Sequence, residues 1–137
     1  AWEDIRYLAR MYWDAVESQG PQTSAMLGAH RSISIAKDKE TAIRQAEAAA
    51  EGKAGMYGGW SMQEGSTVDL GLASGRNLED WAIVGSPQDC AETISRCYHE
   101  QGLRYLGLGS LNLPQDHSAR LEYLQLISEE LLPLLPG

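Results

Sequence analysis

Basic side chains are scarce in this chain and form no cluster. Eleven Lys and Arg residues stand against 19 Asp and Glu residues, so the 137-residue chain carries a formal net charge of -8. Such a surface does not attract the phosphates of nucleic acids or anionic membranes, and we expect neither as a partner. Long apolar runs and a signal-peptide pattern are also missing, which argues against a membrane span and a secretory leader.

Cysteine is equally rare. The two cysteines, Cys90 and Cys97, lie seven residues apart in one helical pattern. This spacing places both on one helix face and argues against a disulfide between them. Two buried thiols fit a reducing, cytoplasmic setting. No spacing of His, Cys, Asp and Glu predicts a metal site, and no Ser-His-Asp set is visible.

Hydrophobic residues are plentiful, at 43%, and residues 1–137 suffice for a single α/β domain with its own core. Hydrophobic periodicity and turn residues define the elements. In order, we predict a helix over 2–18, a strand over 29–36, a helix from Asp38 to Gly52, a short strand over 81–84, a helix over 87–101, a strand over 103–109 and a helix over 117–132.

Apolar spacing assigns the inward faces of these elements. In the first strand, Ile33 and Ile35 share one face, and His30, Ser32 and Ser34 share the other. The first helix presents a core stripe of Trp2, Ile5, Leu8, Tyr12, Ala15 and Val16. The last helix presents Leu121, Leu124, Ile127, Leu131 and Leu132.

Residues 53–80 show no sustained period and are predicted to form an irregular insertion. A stretch of this length within a compact domain is usually a functional loop or an unstructured segment. Met56, Trp60 and Met62 within it would form either a lid over a ligand or ordinary packing.

The sheet implied by this order is incomplete. Strands that alternate with helices are parallel and joined by crossovers, but two or three such strands leave edges unpaired. The chain also begins with Ala1 and opens directly in a helix. We therefore expect that an N-terminal portion is absent, although a processed or tag-cleaved start would look the same.

The turn Gly85-Ser86 is either a phosphate-binding turn or a helix cap. Ser86 precedes Pro87 and stands three residues before Asp89, which is typical of a capping serine with an acidic partner. Asp89 would oppose a phosphate, and neither a glycine cluster nor a basic residue stands nearby. We interpret the turn as a cap.

Three segments resemble the C-terminal part of the luciferase-like family of flavin- or deazaflavin-dependent oxidoreductases. They read ISIAKDKETAIRQA, IVGSPQDCAETI and LGLGSLNLPQDHSARLEYLQLISEELLPLL. The first is a loose match at Lys37-Asp38-Lys39, and each motif alone is weak, but their order and spacing are specific. The resemblance covers roughly residues 28–135.

The resemblance implies a (β/α)₈ TIM barrel truncated at its N-terminus, of which this chain supplies about the last two strands and their helices. Such barrels typically need about 250 residues. A partial barrel has exposed strand edges, so we expect it to form a homo-oligomer or to pair with the missing N-terminal part.

Within that resemblance, His30 is the candidate catalytic residue, as a contact to substrate or flavin; an ordinary hydrogen-bonded interior histidine is the competing interpretation. Ser32, Ser34, Gly109 and Ser110 are candidate cofactor-binding residues. In the competing interpretation, Gly107 and Gly109 of the last strand only let the following loop approach its neighbours closely. In the alkanesulfonate-monooxygenase branch, the positions of His30 and Ser32 carry arginine and histidine, so that branch's substrate is not assumed.

The resemblance implies FMN as cofactor, with deazaflavin F420 as the alternative, and a small organic substrate in the full-length parent. Most flavin contacts would come from the missing strands, so we expect this chain alone to be inactive and to bind flavin weakly or not at all. The competing hypothesis is a non-catalytic partial barrel that acts as an assembly unit. A flavodoxin-like binding protein would need a Gly- or Ser/Thr-rich loop after an early strand, which is not found.

Overall fold

Three strands and four α-helices alternate along the part of the chain that the computed structural model describes, residues 2–20, 25–58 and 77–136; beyond residue 49 only the backbone of the second helix is described. The elements are α1 Trp2–Ser18, β1 Leu27–Ile35, α2 Lys39–Gly58, β2 Ala82–Gly85, α3 Pro87–Gln101, β3 Leu103–Ser110 and α4 His117–Gln125. The predicted order of helices and strands is confirmed.

The strands form one parallel sheet in the order β2-β1-β3. The carboxyl half of β1 pairs with β2, whereas nearly its whole length pairs with β3. The pairs that matter for the site are His30–Gly107 and Ser32–Gly109. Parallel pairing is confirmed. The sheet formed by the described residues is open, so β2 and β3 are its edge strands.

One face of the sheet, here called the packed face, carries the larger core. Ile33 and Ile35 of β1 and Ile83 of β2 are each at most 1% exposed. They pack against α3 and the C-terminal helix through Cys90, Ala91, Ile94, Tyr123 and Leu131. Full burial of each isoleucine contributes about 1.5–3 kcal/mol. The prediction that Ile33 and Ile35 share one inward face is confirmed.

The opposite face is covered at the carboxyl end of the strands by α2. Ala82 and Val84 form a second apolar cluster there with Ala36 and Ala42. Ser34 lies in the same layer and is fully buried, and its hydroxyl donates a 2.7 Å hydrogen bond to the carbonyl of Ala42. Alanine side chains let the helix approach the sheet closely, so α2 closes this end of the face.

The buried stripe of α1 differs from the prediction, although its bounds agree. Ile5 and Ala9 are buried, whereas Leu8, assigned to the core by its spacing, is 60% exposed. Two hydrogen bonds from α1 to distant parts of the chain explain the difference. The indole N–H groups of Trp2 and Trp13 donate to carbonyls in the turn before β2 and at the end of α3. These two bonds fix the rotation of the helix.

The C-terminal helix buries only part of the predicted set. Leu131 is buried and Ile127 packs against the core, as predicted, whereas Leu121, Leu124 and Leu132 are 50%, 51% and 55% exposed and Tyr123 is buried instead. After α4 the helix continues as a π-helical turn and then a 3₁₀ turn. The wider π turn changes the angular spacing of the side chains, so a stripe based on 3.6 residues per turn does not hold.

The second helix passes through Gly52, which the sequence pattern took as its end. A glycine within a helix costs only about 1 kcal/mol relative to alanine, so one glycine among helix-forming residues does not end it. The start agrees with the prediction, since the carboxylate of Asp38 accepts a 2.8 Å hydrogen bond from the amide of Thr41.

The predicted insertion over residues 53–80 is therefore helical over residues 53–58. It also contains a short 3₁₀ turn at Leu78–Asp80. Trp60, Met62 and the side chain of Met56, which we considered as a lid, lie outside the described residues. Within the described ranges, no helix is both long and apolar enough to cross a membrane.

Candidate functional site

The candidate site is the part of the sheet that α2 leaves uncovered, opposite the packed face. Because side chains alternate along each strand, the pairing places the same set of residues of β1 and β3 on this side. We call it the open sheet face and define it by Gly28, His30, Ser32, Tyr105, Gly107 and Gly109. His30 is exposed, Ser32 is half-buried, and Tyr105 is 69% exposed.

The imidazole of His30 lies across the neighbouring strand, over two glycines. A Cβ atom built on Gly107 would be 3.1 Å from Cδ2 of His30. A Cβ atom built on Gly109 would be 3.1 Å from Cε1 and 3.4 Å from Nε2. The ring therefore occupies the space that side chains at these two positions would fill, and it points towards the carboxyl end of β3.

Three of the five predicted site residues come together here. His30 contacts Gly109, and Ser32 is the strand partner of Gly109. Ser34 shares their side of β1, as the alternation predicts, but lies beneath α2 with its hydroxyl bonded to a backbone carbonyl. Ser110 faces the packed side instead.

The hydroxyl of Ser110 is 2.6 Å from the hydroxyl of Tyr123. Burial raises the pKa of Tyr123, and the hydrogen bond to Ser110 partly opposes this shift. The pair ties the end of β3 to α4. Sequence reasoning assigned Ser110 by its place at the strand end, but its alternation with Gly107 and Gly109 already put it on the opposite side.

Tyr105 is the residue of the open sheet face that sequence reasoning missed. The signal was available, because Tyr105 alternates with Gly107 and Gly109 in steps of two. Its large side chain is exposed and lies beside Gly28. The face therefore combines an imidazole, a hydroxyl and a phenol with bare glycine backbone, which gives hydrogen-bonding groups and flat surfaces without a carboxylate, ammonium or guanidinium group.

The neighbouring cation points away from this face. Arg31 is half-buried on the packed side, and its guanidinium carbon lies 5.3 Å from the centre of the Trp2 ring. Burial lowers the pKa of Arg31. Within the described residues, the open sheet face thus carries neither Lys nor Arg.

The Gly85-Ser86 turn is a helix cap, as predicted. The Ser86 hydroxyl accepts a 3.3 Å bond from the amide of Asp89, whose carboxylate accepts bonds of 2.9 Å from the Ser86 amide and 2.8 Å from the Ser86 hydroxyl. The two hydrogen bonds that the carboxylate accepts lower the pKa of Asp89, and the bond from the Ser86 amide contributes most. A Cβ on Gly85, whose φ is +145°, would lie 2.5 Å from Cβ of Asp89. Asp89 thus takes the place that an anion would need.

The two thiols are free and buried on one face of α3, as predicted. Burial raises the pKa of Cys90 to about 12 and also raises the pKa of Cys97. Neither is a thiolate at neutral pH, so neither is poised as a nucleophile. Across the described residues, no three side chains of metal-ligating type come together.

A separate groove of about 340 Å³ runs beside α3, between that helix, α1 and β2. Among its lining residues, Lys39 and Glu79 form an ion pair with each other. The buried side chain of Gln101 also borders the groove, and its Oε1 has no hydrogen-bond partner among the described residues. The groove shares no lining residue with the open sheet face.

The fold class is therefore α/β, with a small open parallel sheet, and two solved structures share it. One is the oxygenating constituent of 3,6-diketocamphane monooxygenase from the CAM plasmid of Pseudomonas putida, a type II Baeyer-Villiger monooxygenase in complex with FMN. The similarity has a TM-score of 0.59 and 21% sequence identity, and it covers 96% of this chain and 40% of that chain.

The other is the monooxygenase RslO1 from Streptomyces bottropensis, also with a TM-score of 0.59 and 21% identity, covering 96% of this chain and 38% of that chain. No family model matches the chain, and no curated protein matches its sequence. At this identity the likeness concerns the fold alone: the chain matches part of each of these two structures. It spans about two-fifths of the length of these structures.

Proposed function

We propose that this chain is part of a luciferase-like, FMN-dependent monooxygenase or oxidoreductase. The observation that carries the proposal is the fold match over 96% of the chain to a monooxygenase in complex with FMN. In this proposal β1 and β3 are neighbouring strands of a (β/α)₈ barrel and the open sheet face lines its interior. Two features depart from the regular barrel order: β2 pairs with the other edge of β1, and α2 covers part of this face. Deazaflavin F420 remains the alternative cofactor, and the organic substrate is unidentified.

The open sheet face fits the ring end of a flavin or a flat organic substrate. His30 and Ser32 offer hydrogen-bonding groups at the centre of the face, and Tyr105 offers an aromatic surface beside them. Binding sites for such molecules combine flat apolar surfaces with a few polar groups that fix orientation. When bound, the flavin supplies the redox chemistry. His30 and Ser32 orient the bound ring, and Gly109 gives His30 room to do so.

The same face does not fit the phosphate of FMN. It carries no Lys or Arg within the described residues, and the amino end of α3 is occupied by Asp89. We infer that the phosphate is held by the rest of a barrel and that this chain alone binds flavin weakly. We attach no ligand role to Ser34 and Ser110, because their hydroxyls already bond Ala42 and Tyr123.

The test compares riboflavin with FMN, which differ by the phosphate. Each is titrated into the ¹⁵N-labelled chain while the amide and imidazole NMR signals are followed. We expect both to shift signals of His30, Ser32 and Gly109, with dissociation constants on the order of 1 mM and equal within about threefold. His30→Ala should weaken both, whereas His99→Ala, at an exposed position of α3, should not.

Two results would contradict the proposal. Shifts confined to residues outside the open sheet face would show that the face is not a ligand surface. Binding of FMN more than about tenfold tighter than that of riboflavin, a difference of about 1.4 kcal/mol, would show a phosphate site in this chain.

We also propose that the edges of β2 and β3 pair with the remainder of a barrel or, without it, with a second copy of the chain. The support is the open sheet together with the partial coverage of the similar structures. Sedimentation of the chain over a range of concentrations tests the self-pairing. The competing assembly-unit hypothesis predicts such association too, but with no flavin-induced shifts at His30.

A further inference from the structure

The position of the His30 ring depends on two residues of the neighbouring strand. Gly107 is the strand partner of His30, and Gly109 is the partner of Ser32. Added Cβ atoms at both would come within 3.1 Å of the imidazole carbons. That separation is shorter than an ordinary van der Waals contact between carbon atoms, which lies near 3.5–4.0 Å. With alanine at either position, the ring would have to move.

The backbone does not require glycine at these positions. Among the described residues, the glycines with positive φ are Gly20, Gly85 and Gly102. Gly107 and Gly109 have extended strand geometry, which any residue adopts. Glycine within a strand is otherwise unfavourable, because it adds no packing and loses more conformational freedom on folding. Glycine at these two positions therefore matters because it leaves free the space that a Cβ atom would occupy.

We propose that Gly107 and Gly109 are positioning residues that form a recess for the His30 imidazole and let it lie against β3. Cδ2 lies over Gly107, and Cε1 and Nε2 lie over Gly109. The recess directs the ring towards the carboxyl end of the strand, which is the end where barrel enzymes place their active sites.

The recess also determines which atoms of the face a bound ligand contacts. This part of the inference rests on the proposed function. Glycines at a strand end usually let a ligand approach the backbone. Here the imidazole already fills that space, so a bound ring contacts His30 rather than the backbone of Gly109. The role predicted for Gly109 as a cofactor-binding residue is then carried out through His30.

The first experiment follows the imidazole by NMR in Gly107→Ala and Gly109→Ala. The chain has three histidines, and comparison with His30→Ala identifies the His30 signal. We expect both alanine variants to shift the ¹³Cε1 and ring ¹⁵N signals of His30. The matched control is Gly28→Ala on the same face, where a Cβ would meet Tyr105 at an ordinary 3.4 Å. It should leave the His30 signals in place.

The second experiment is a double-mutant cycle on the folding equilibrium. Because His30 is exposed and its ring can shift, we expect Gly109→Ala to be at least about twofold less favourable for the folding constant in the presence of the imidazole than in its absence. Combined with His30→Ala, the same substitution should leave the folding constant unchanged or raise it, because the recess is then empty and alanine loses less conformational freedom than glycine on folding. If Gly109→Ala alone fails to fold, the proposal requires that the double variant folds.

The proposal is overturned if Gly109→Ala has the same effect with and without His30, if the double variant also fails to fold, or if the His30 signals do not move. These measurements need no flavin. Riboflavin-induced shifts confined to residues outside the open sheet face would therefore count against the proposed function alone, and an unmoved imidazole would count against the recess alone.

Discussion

The two faces of β1 show how differently one strand can be used. Ile33 and Ile35 point to the packed face and are each 1% exposed. His30 and Ser32, which alternate with them, point to the open sheet face, where Tyr105 on the next strand is 69% exposed. The packed face is closed by residues of this chain. The open sheet face has polar groups and glycines where a core would have apolar side chains.

This contrast indicates a division of roles. Stability in the described chain comes from the packed face and from the helices that cover it, since apolar burial is the dominant favourable contribution to folding. The open sheet face contributes little to stability and is free to contact another molecule. Substitutions on the two faces should therefore have separable effects.

The largest effect is expected on the packed face. Ile83→Ala leaves a cavity at a site that is 0% exposed, and it should lower the free energy of unfolding by about 2–5 kcal/mol. Urea unfolding followed by circular dichroism measures it. Ser32→Ala on the open sheet face is the matched control and should change stability by less than about 0.5 kcal/mol. Equal losses of stability in the two variants would show that the packed face and the open sheet face contribute alike to stability.

A second prediction concerns the assignment of Ser110 to the packed side. Tyr123→Phe removes one partner of a 2.6 Å hydrogen bond and leaves the Ser110 hydroxyl to find another. We expect a loss of about 1–1.5 kcal/mol. In a double-mutant cycle with Ser110→Ala, the coupling should be about 1 kcal/mol. A coupling near zero would mean that Ser110 is free to serve the site.

A third prediction concerns the cap of α3, the helix that covers the packed face. Ser86→Ala removes the hydroxyl that exchanges hydrogen bonds with Asp89, and it should cost about 1 kcal/mol at pH 7. Ser118→Ala, at an exposed position in the first turn of α4, is the control and should have little effect.

The cap should also be visible in the pH dependence of stability. The pKa of Asp89 is lower in the folded chain than in the unfolded chain, so its contribution is present above the unfolded pKa of about 3.9 and is lost as the pH falls through the folded pKa. Ser86→Ala keeps the amide bond, which is the larger cause of this shift, and removes only the hydroxyl bond, so the variant should lose slightly less stability than the parent chain between pH 5 and pH 2. An identical acid profile for the variant and the parent chain would contradict the role of the hydroxyl.

The smallest effect is expected at the centre of the open sheet face. His30→Ala removes an exposed side chain that lies over bare backbone, and it should change the free energy of unfolding by less than about 0.5 kcal/mol. The same variant should weaken riboflavin binding. A large loss of stability would show that the imidazole is a structural residue and that the two faces are less distinct than we propose.

Much of the local structure followed from the sequence because its causes are local. The predicted bounds of α1 and α3 agree with the structure. Ser86 was identified as a cap from its spacing to the first turn, and Asp38 was taken as the start of α2, where its carboxylate caps the helix. The predicted end of α3 at residue 101 agrees with the structure, in which Gly102 follows with a left-handed φ of 66°. Each of these depends on a few neighbouring residues.

The misassigned residues have non-local causes. Leu8, Leu121 and Leu124 fit a helical stripe but are exposed, because tertiary contacts set the rotation of α1 and a π turn changes the spacing in the C-terminal helix. Gly52 was taken as a helix end, but a glycine only lowers helix propensity. The hydrophobic periodicity of the sequence does not show how tertiary contacts rotate a helix or where a π turn forms.

The sequence by itself determined the alternation of helices and strands, the parallel sheet, the two buried thiols and the separation of isoleucines from polar residues on β1. These are consequences of residue spacing and of side-chain chemistry. The tertiary structure decided which polar residues stay accessible. Ser34 is covered because α2 packs over it, Ser110 turns to Tyr123, and His30 lies on Gly107 and Gly109 because β3 is its neighbour. Such contacts join residues far apart in the chain, so only the folded arrangement defines the site.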